Sequence, residues 1–317
     1  MSAANQGPAH VRESPWGPMT VADGHIHLLS HRLLSMLAGQ RQVSAEEAAA
    51  TLQWTAPPED PAQLAELWAQ ELDRHGVADG ALIASVPGDE GSVVCAVSRL
   101  PQRFRGYMMV NPMAERAAEN AAGVLSGGQM QGICFFPAMH RYSIQDPKAT
   151  ALLDVAAARP GTVVFVHCGV LSVGFRNKLG LPSEFDLRFS NPLDLHLVAQ
   201  RYPRVNFVIP HFGAGMFREA LMLTDLCANV YLDTSSSNRW MRYEGSHCDL
   251  REVFRRALEV AGPRRLMFGS DSSFFPRGWN AAVFEAQSKA LYELGVSDRD
   301  ARRIFAGTYQ ELFREGR

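Results

Sequence analysis

Short, almost wholly apolar runs recur along the chain, each followed by a longer stretch where apolar residues return every three or four positions. The runs at 20–27 (TVADGHIH), 80–85 (GALIAS), 104–109 (FRGYMM) and 132–136 (GICFF) read as strands. So do 162–167 (TVVFVH), 206–210 (NFVIP), 230–233 (VYLD) and 266–270 (LMFGS). Their lack of polar alternation is the pattern of strands buried on both faces. Among the intervening segments, PAQLAELWAQELDRHG puts Leu64, Leu67, Trp68 and Leu72 on one side of a helix that stops at Gly76. NPLDLHLVAQRYP opens with Asn191 as N-cap and Pro192 at the first helical position. AERAAENAAGVLSGG, LREVFRRALEVAGP and NAAVFEAQSKALYELG are further helices, and 298–314 is a final helical segment closing over the barrel. Strand–helix alternation repeated eight times predicts a parallel sheet closed into a (β/α)8 TIM barrel. A doubly wound open sheet is the alternative, weakened because no GxGxxG turn follows the first strand. Residues 28–58 form a helical insertion after strand one, around SAEEAAATLQW. No break in composition demands a second domain, so the expected organisation is a flexible N-terminal arm, 1–18, and a single barrel domain, 19–317.

Composition narrows the partners. The 317 residues are 46% hydrophobic and 20% charged, enough for a soluble protein with a large core. A net charge of −2 offers no basic field for nucleic acid or an anionic membrane. No apolar run approaches the roughly 20 residues that span a bilayer. The N-terminal stretch is polar and lacks the apolar core of a signal peptide. Cys95, Cys134, Cys168, Cys227 and Cys248 are scattered and odd in number, which argues for free thiols and a cytoplasmic location. A homodimer stays open as an assembly.

The candidate chemistry collects at strand ends. Asp23, His25 and His27 alternate in VADGHIHLLS, and a β-strand's period points all three to one face. Strand five ends in VFVHCG with His167, strand six in VIPHFGAG with His211, and strand eight in MFGSDSSFFP with Asp271. A TIM barrel places its active site at the C-terminal ends of its strands. Four histidines and an aspartate converging there predict a metal centre.

The phrases DGHIH, VHCG, PHFG and GSDSSF, with IFAGTYQELF near the end, resemble the amidohydrolase superfamily and most closely its amidohydrolase-related branch. That branch includes hydrolases, lactonases and non-oxidative decarboxylases such as aminocarboxymuconate semialdehyde decarboxylase. The resemblance spans about residues 20–314. It implies a metal-dependent TIM-barrel enzyme in which His25, His27, His167 and Asp271 hold one divalent ion per chain, Zn²⁺ ahead of Mn²⁺. It implies a metal-activated water as nucleophile, with His211 orienting it or serving as acid/base and Asp271 accepting its proton. Asp23 is expected to fix a histidine tautomer from behind. Binuclear members of the superfamily carry a carboxylated lysine on strand four. Cys134 stands there instead, which favours a mononuclear site; it is either a small buried hydrophobe or a thiolate bridging two metals.

The loops after the strands shape a pocket. Arg176, Lys178 and Arg188 lie after strand five, Asn238 and Arg239 after strand seven, and Arg277 after strand eight. Basic loops around a metal predict a small anionic substrate whose carboxylate meets an arginine fork, with Arg176, Arg188, Asn238, Arg239 and Arg277 as binding candidates. Hydrolysis of a lactone, amide or related bond leads, decarboxylation is the alternative, and a non-catalytic metal-binding barrel comes third.

Overall fold

The computed structural model describes residues 10–235, 238–245 and 248–314. Eight parallel strands run in sequence order: β1 (Ala22–Leu28), β2 (Asp79–Ala84), β3 (Phe104–Val110), β4 (Met130–Phe135), β5 (Val163–Val166), β6 (Asn206–Ile209), β7 (Val230–Asp233) and β8 (Leu266–Met267). Helices follow the strands, and the TIM barrel expected from the alternating pattern is what the chain forms. Asn191 caps a 3-10 turn that opens the helix after β5, its side chain accepting from Leu193 N at 3.0 Å. Residues 28–58 contain two helices, His31–Arg41 and Ala45–Leu52, which pack on each other through Leu33, Leu37, Ala48 and Leu52.

Inward-facing residues form one core and outward-facing ones another. Ala81, Ile83, Tyr107, Cys134, Phe165 and Met267 fill the interior. Tyr309, Leu312 and Phe313 of the last helix join that interior cluster, with the Phe313 ring 5.5 Å from Tyr107. This segment therefore plugs the barrel, as its position at the end of the chain predicts. The backbone widens to a π-turn at Arg303–Gly307, where the Ile304 carbonyl accepts from Phe268 N at 3.0 Å.

Strand eight is shorter than the apolar run 266–270 predicts, and the reason lies in the seam. Gly24 N donates to Phe268 O at 2.8 Å, Asp271 N to His25 O at 3.1 Å and His27 N to Ser272 O at 2.8 Å. Between them a side chain replaces the ladder: Ser270 N donates to Asp23 Oδ1 at 3.0 Å. The same carboxylate accepts from His25 N at 2.9 Å, from Trp279 Nε1 at 2.8 Å and from the Ser270 hydroxyl. A register shift between Asp23 and Ile26 accompanies this arrangement. It breaks the simple alternation: Asp23 meets Trp279 in the outer layer, while His25 packs on Phe165 inside.

Residues 1–9 of the N-terminal arm lie outside the described residues. From there on, Arg12 pairs with Met19, sits 5.0 Å from the Trp279 ring and donates to His75 O at 2.9 Å. Trp16 Nε1 donates to Val296 O at 2.9 Å. All five cysteines are free thiols. Among the described residues no helix is long and apolar enough to cross a membrane.

Removing the seam's carboxylate leaves buried donors without an acceptor, at a cost of about 3–5 kcal/mol. Asp23→Ala is therefore expected to lower the urea unfolding midpoint sharply, and Asp23→Asn, which keeps one acceptor oxygen, to lower it less. A loss below about 1 kcal/mol for Asp23→Ala would show that the seam closes without this clasp.

Candidate metal centre

The C-terminal ends of the strands bring His25, His27, His167, His211 and Asp271 to the floor of one cavity of about 700 Å³. His25 Nε2 and His27 Nε2 face each other at 3.2 Å, and Asp271 Oδ1 lies 3.7 and 3.5 Å from them. The His211 ring is centred 5.1 Å from that of His25 and 5.4 Å from that of His167. His167 stacks on Phe136 at 5.5 Å.

Hydrogen bonds behind the rings set their tautomers. His25 Nδ1 lies 2.6 Å from Asp233 Oδ2, a carboxylate that only accepts, so Nδ1 carries the proton. Ser85 Oγ donates to Ile83 O at 3.1 Å, which leaves its lone pair for His27 Nδ1–H at 2.9 Å. His211 Nδ1 donates to the Ser235 carbonyl at 3.0 Å. In the neutral form each of these rings therefore turns an Nε2 lone pair inward. His167 is less tied: its buried Nδ1 has no hydrogen-bond partner among the described residues.

Charge follows the same layout. Burial, then the neighbouring His25, pushes His27 down to about 3. Burial likewise lowers His211, and it lowers His167 strongly with His211 and His25 adding to the effect. His25 runs the other way: burial opposes its charge, but Asp233 outweighs that and raises it. Lone pairs pointed at one another with a carboxylate alongside repel unless a cation lies among them. Together with the orphaned Nδ1 of His167, the donor set fits a divalent ion with a borderline preference for nitrogen and oxygen. Among the described residues, the donor atoms of His25, His27 and Asp271 all lie within 4.8 Å of one another.

The backbone is shaped to hold this geometry. His211, Phe212 and Asp271 adopt φ of 55°, 53° and 56°, a left-handed region that non-glycine residues occupy only when their surroundings enforce it. At Gly169 (φ 76°) an added Cβ would fall 2.0 Å from Gly213 O. The loops after β5 and β6 therefore touch backbone to backbone, and only glycine permits it.

The structure also redistributes the expected roles. Asp23 does not orient a histidine ring, because the register shift turns it into the seam; Asp233 does so for His25. Cys134 is fully buried in the interior cluster and is not among the residues lining the cavity, the placement of a small apolar filler. Arg277 lines the cavity and anchors Nη2 on Asp271 O at 2.8 Å and Ser273 Oγ at 2.6 Å. Arg239 lines the mouth, whereas Asn238 beside it is not among the lining residues. Arg176 lines the cavity too, but its guanidinium binds Pro182 O at 2.9 and 2.8 Å and Gln40 Oε1 at 3.0 Å, which makes it a strut of the loop after β5. Arg188 points away, 85% exposed and paired with Asp186, and Lys178 is exposed outside the cavity. Ser235, which the loop after strand seven offers to the pocket, lies behind His211, and Asp233 and Ser85 are the ring-holding residues that sequence reasoning missed. Asp233 alone had a signal, since it ends strand seven as Asp271 follows strand eight.

Residues 22–314 match the Amidohydro_2 family, described as amidohydrolase. A probable 2-pyrone-4,6-dicarboxylic acid hydrolase from Acinetobacter baumannii, crystallised with citric acid, has a similar fold (TM-score 0.60). The two are 15% identical, over 93% of this chain and 100% of that one. A manganese-bound point mutant of 5-carboxyvanillate decarboxylase from Novosphingobium aromaticivorans, with 3-methoxy-4-hydroxy-5-nitrobenzoic acid, gives a TM-score of 0.62 at 12% identity, over 93% and 97% of the two chains. A 94-residue stretch is 33% identical to Protein fluG of Emericella nidulans, covering 30% of this chain and only 10% of that protein's length. With the family match running from the first strand to the last helix, the chain belongs to the Amidohydro_2 family of amidohydrolases.

Proposed function

We propose that this chain is a metal-dependent hydrolase of a small, carboxylate-bearing substrate, cleaving a lactone, amide or related C–O or C–N bond. The observation that carries this reading is the inward array of imidazole lone pairs beside the Asp271 carboxylate. His25, His27, His167 and Asp271 would hold the ion, and Zn²⁺ and Mn²⁺ both suit their nitrogen and oxygen donors. A divalent ion so held supplies Lewis acidity and a water that ionises near neutral pH.

The chain's own residues do the rest. Asp271 takes the proton of the attacking water, its carboxylate being 3.5 Å from His27 Nε2 and on the open side of the array. His211, locked by Ser235, presents its Nε2 lone pair to the same space; it takes over the proton that Asp271 has removed from the water and passes it to the leaving group. Arg277, fixed through Nη2, offers its other N–H groups to a substrate carboxylate. Leu33, Met36, Leu37 and Phe175 wall the cavity with apolar surface. That wall favours a second reading, decarboxylation, because a carboxylate pressed against apolar surface loses its hydration and departs more readily as CO₂. A screen over lactones, amides and aromatic acids, following proton release and CO₂ release in parallel, separates the two; CO₂ as the product would overturn hydrolysis.

Chelation should abolish turnover, and Zn²⁺ or Mn²⁺ should restore it. His167→Ala should lose metal and activity together. His211→Asn should keep metal content near wild type while turnover falls about 10²–10⁴-fold. Loss of metal from His211→Asn, read by elemental analysis, would make His211 a ligand instead.

Arg277→Met should lower kcat/KM on the order of 10- to 100-fold, the value of a charge-assisted hydrogen bond. Arg188→Met should leave it unchanged. Equal kinetics for both variants would remove the anionic-substrate reading.

A further inference from the structure

The end of the barrel away from the candidate metal centre holds a second cavity, of about 440 Å³. It lies beneath the N-terminal ends of β3, β4 and β5, among residues 101–102, 127–129 and 159–162. In a TIM barrel this end ordinarily serves stability and not chemistry. Here it carries uncompensated charge. Among the described residues no carboxylate lines the cavity, and two arginines do, Arg105 and Arg159.

Elsewhere the chain commits its guanidinium groups. Arg103, two residues before Arg105, holds Asp73 at 2.6 Å and the carbonyls of Ala78 and Val77 at 2.7 and 3.0 Å. Arg105 is only 7% exposed, and its Nη1 donates to Pro101 O at 2.7 Å and Phe104 O at 2.8 Å, which fixes the group in place. Its Nε and Nη2 make no hydrogen bond among the described residues, and neither is sealed from solvent, so they open on the cavity. A cation so nearly buried without a counter-charge is costly. Arg159, half-buried, has no ion pair, hydrogen bond or ring stack for its guanidinium among the described residues. A Cβ built on Gly128 would stand 3.8 Å from its Nη2, which places the group over the turn before β4. Gln131 ties that turn to β3, accepting from Gly106 N at 2.9 Å and donating to Gly128 O at 3.3 Å. Thr162, buried at the start of β5, lines the same cavity with a hydroxyl that is neither bonded among the described residues nor sealed.

Two guanidinium forks and a hydroxyl, placed on either side of the turn before β4, suit a tetrahedral dianion better than one planar carboxylate. The cavity is larger than a phosphate group alone fills, and Val97, Met130 and Phe313 give it an apolar wall. We propose that it is a second ligand site, in which Arg105, Arg159 and Thr162 hold the phosphate of a small phosphate monoester whose apolar part rests on that wall. The site is independent of the reaction proposed for the other end. A ligand there joins the ends of three successive strands and stabilises the folded barrel by mass action.

Calorimetric titration of the zinc-loaded enzyme with phenyl phosphate, inorganic phosphate and benzoate tests it, with thermal unfolding alongside. Phenyl phosphate should bind on the order of tenfold tighter than inorganic phosphate, through the apolar wall, and should raise Tm. Arg159→Met should weaken that binding on the order of 10- to 100-fold and cancel the rise in Tm while leaving zinc content unchanged. Gln102→Glu, which adds a carboxylate at the exposed edge of the cavity, should weaken it as well. Arg277→Met, at the other end of the barrel, should bind phenyl phosphate as wild type does. A wild-type enzyme that fails to bind phenyl phosphate overturns the site, as does undiminished binding by both Arg159→Met and Gln102→Glu. Binding lost in Arg277→Met and kept in Arg159→Met overturns it too, because the anion then sits in the cavity at the strand ends. Benzoate bound as tightly as phenyl phosphate, and as dependent on Arg159, overturns the choice of phosphate.

Discussion

The carboxylate of Asp23 holds the barrel shut, and the side chains of the candidate metal centre are its neighbours along both strands of the seam. It takes hydrogen bonds from His25 N, Ser270 N, Ser270 Oγ and Trp279 Nε1 at the point where the ladder between β1 and β8 would otherwise be broken. Burial raises its pKa, and with the hydrogen-bond donors pulling the other way it stands at about 6. Two residues on along β1 is His25, and one residue past Ser270 is Asp271. This side chain, together with the three backbone hydrogen bonds of the seam, sets how far the two sides of the site stand apart. The register shift that lets Asp23 turn outward is also what brings His25 inward.

Around that seam the site is organised by acceptors behind each ring. Asp233 and Ser235 at the end of β7 and Ser85 at the end of β2 are different groups, yet each leaves an inner nitrogen with a lone pair. Positive charge lines the cavity on Arg141, Arg176, Arg239, Arg242 and Arg277, the last bonded to the Asp271 carbonyl. The left-handed backbone at His211 and Asp271, and the backbone contact that Gly169 permits, hold both residues where a relaxed chain would not.

Much of this was legible because strand ends are local events. An apolar run closing on His or Asp shows both the strand and its rim residue, and His25, His27, His167, His211 and Asp271 all line the cavity so predicted. The outward turn of Asp23 was not legible, since alternation says nothing about a bulge. Nor were the loop arginines: their destinations depend on which acceptor lies nearest after folding. Arg188 finds Asp186 two residues away, while Arg176 finds Gln40, 136 residues away. The helices Glu90–Arg99 and Pro147–Ala157 also escaped notice, being short and rich in Ala and Val without a strong stripe.

Asp23 and Ser270 are 247 residues apart in sequence. The first and last strands must therefore meet before the two halves of the proposed ligand set share one space, and contacts so distant in sequence are slow to form. A partly folded chain in which β8 has not closed on β1 lacks the Asp271 carboxylate of the proposed set. Full occupancy of the proposed ligand set would thus certify a completed barrel.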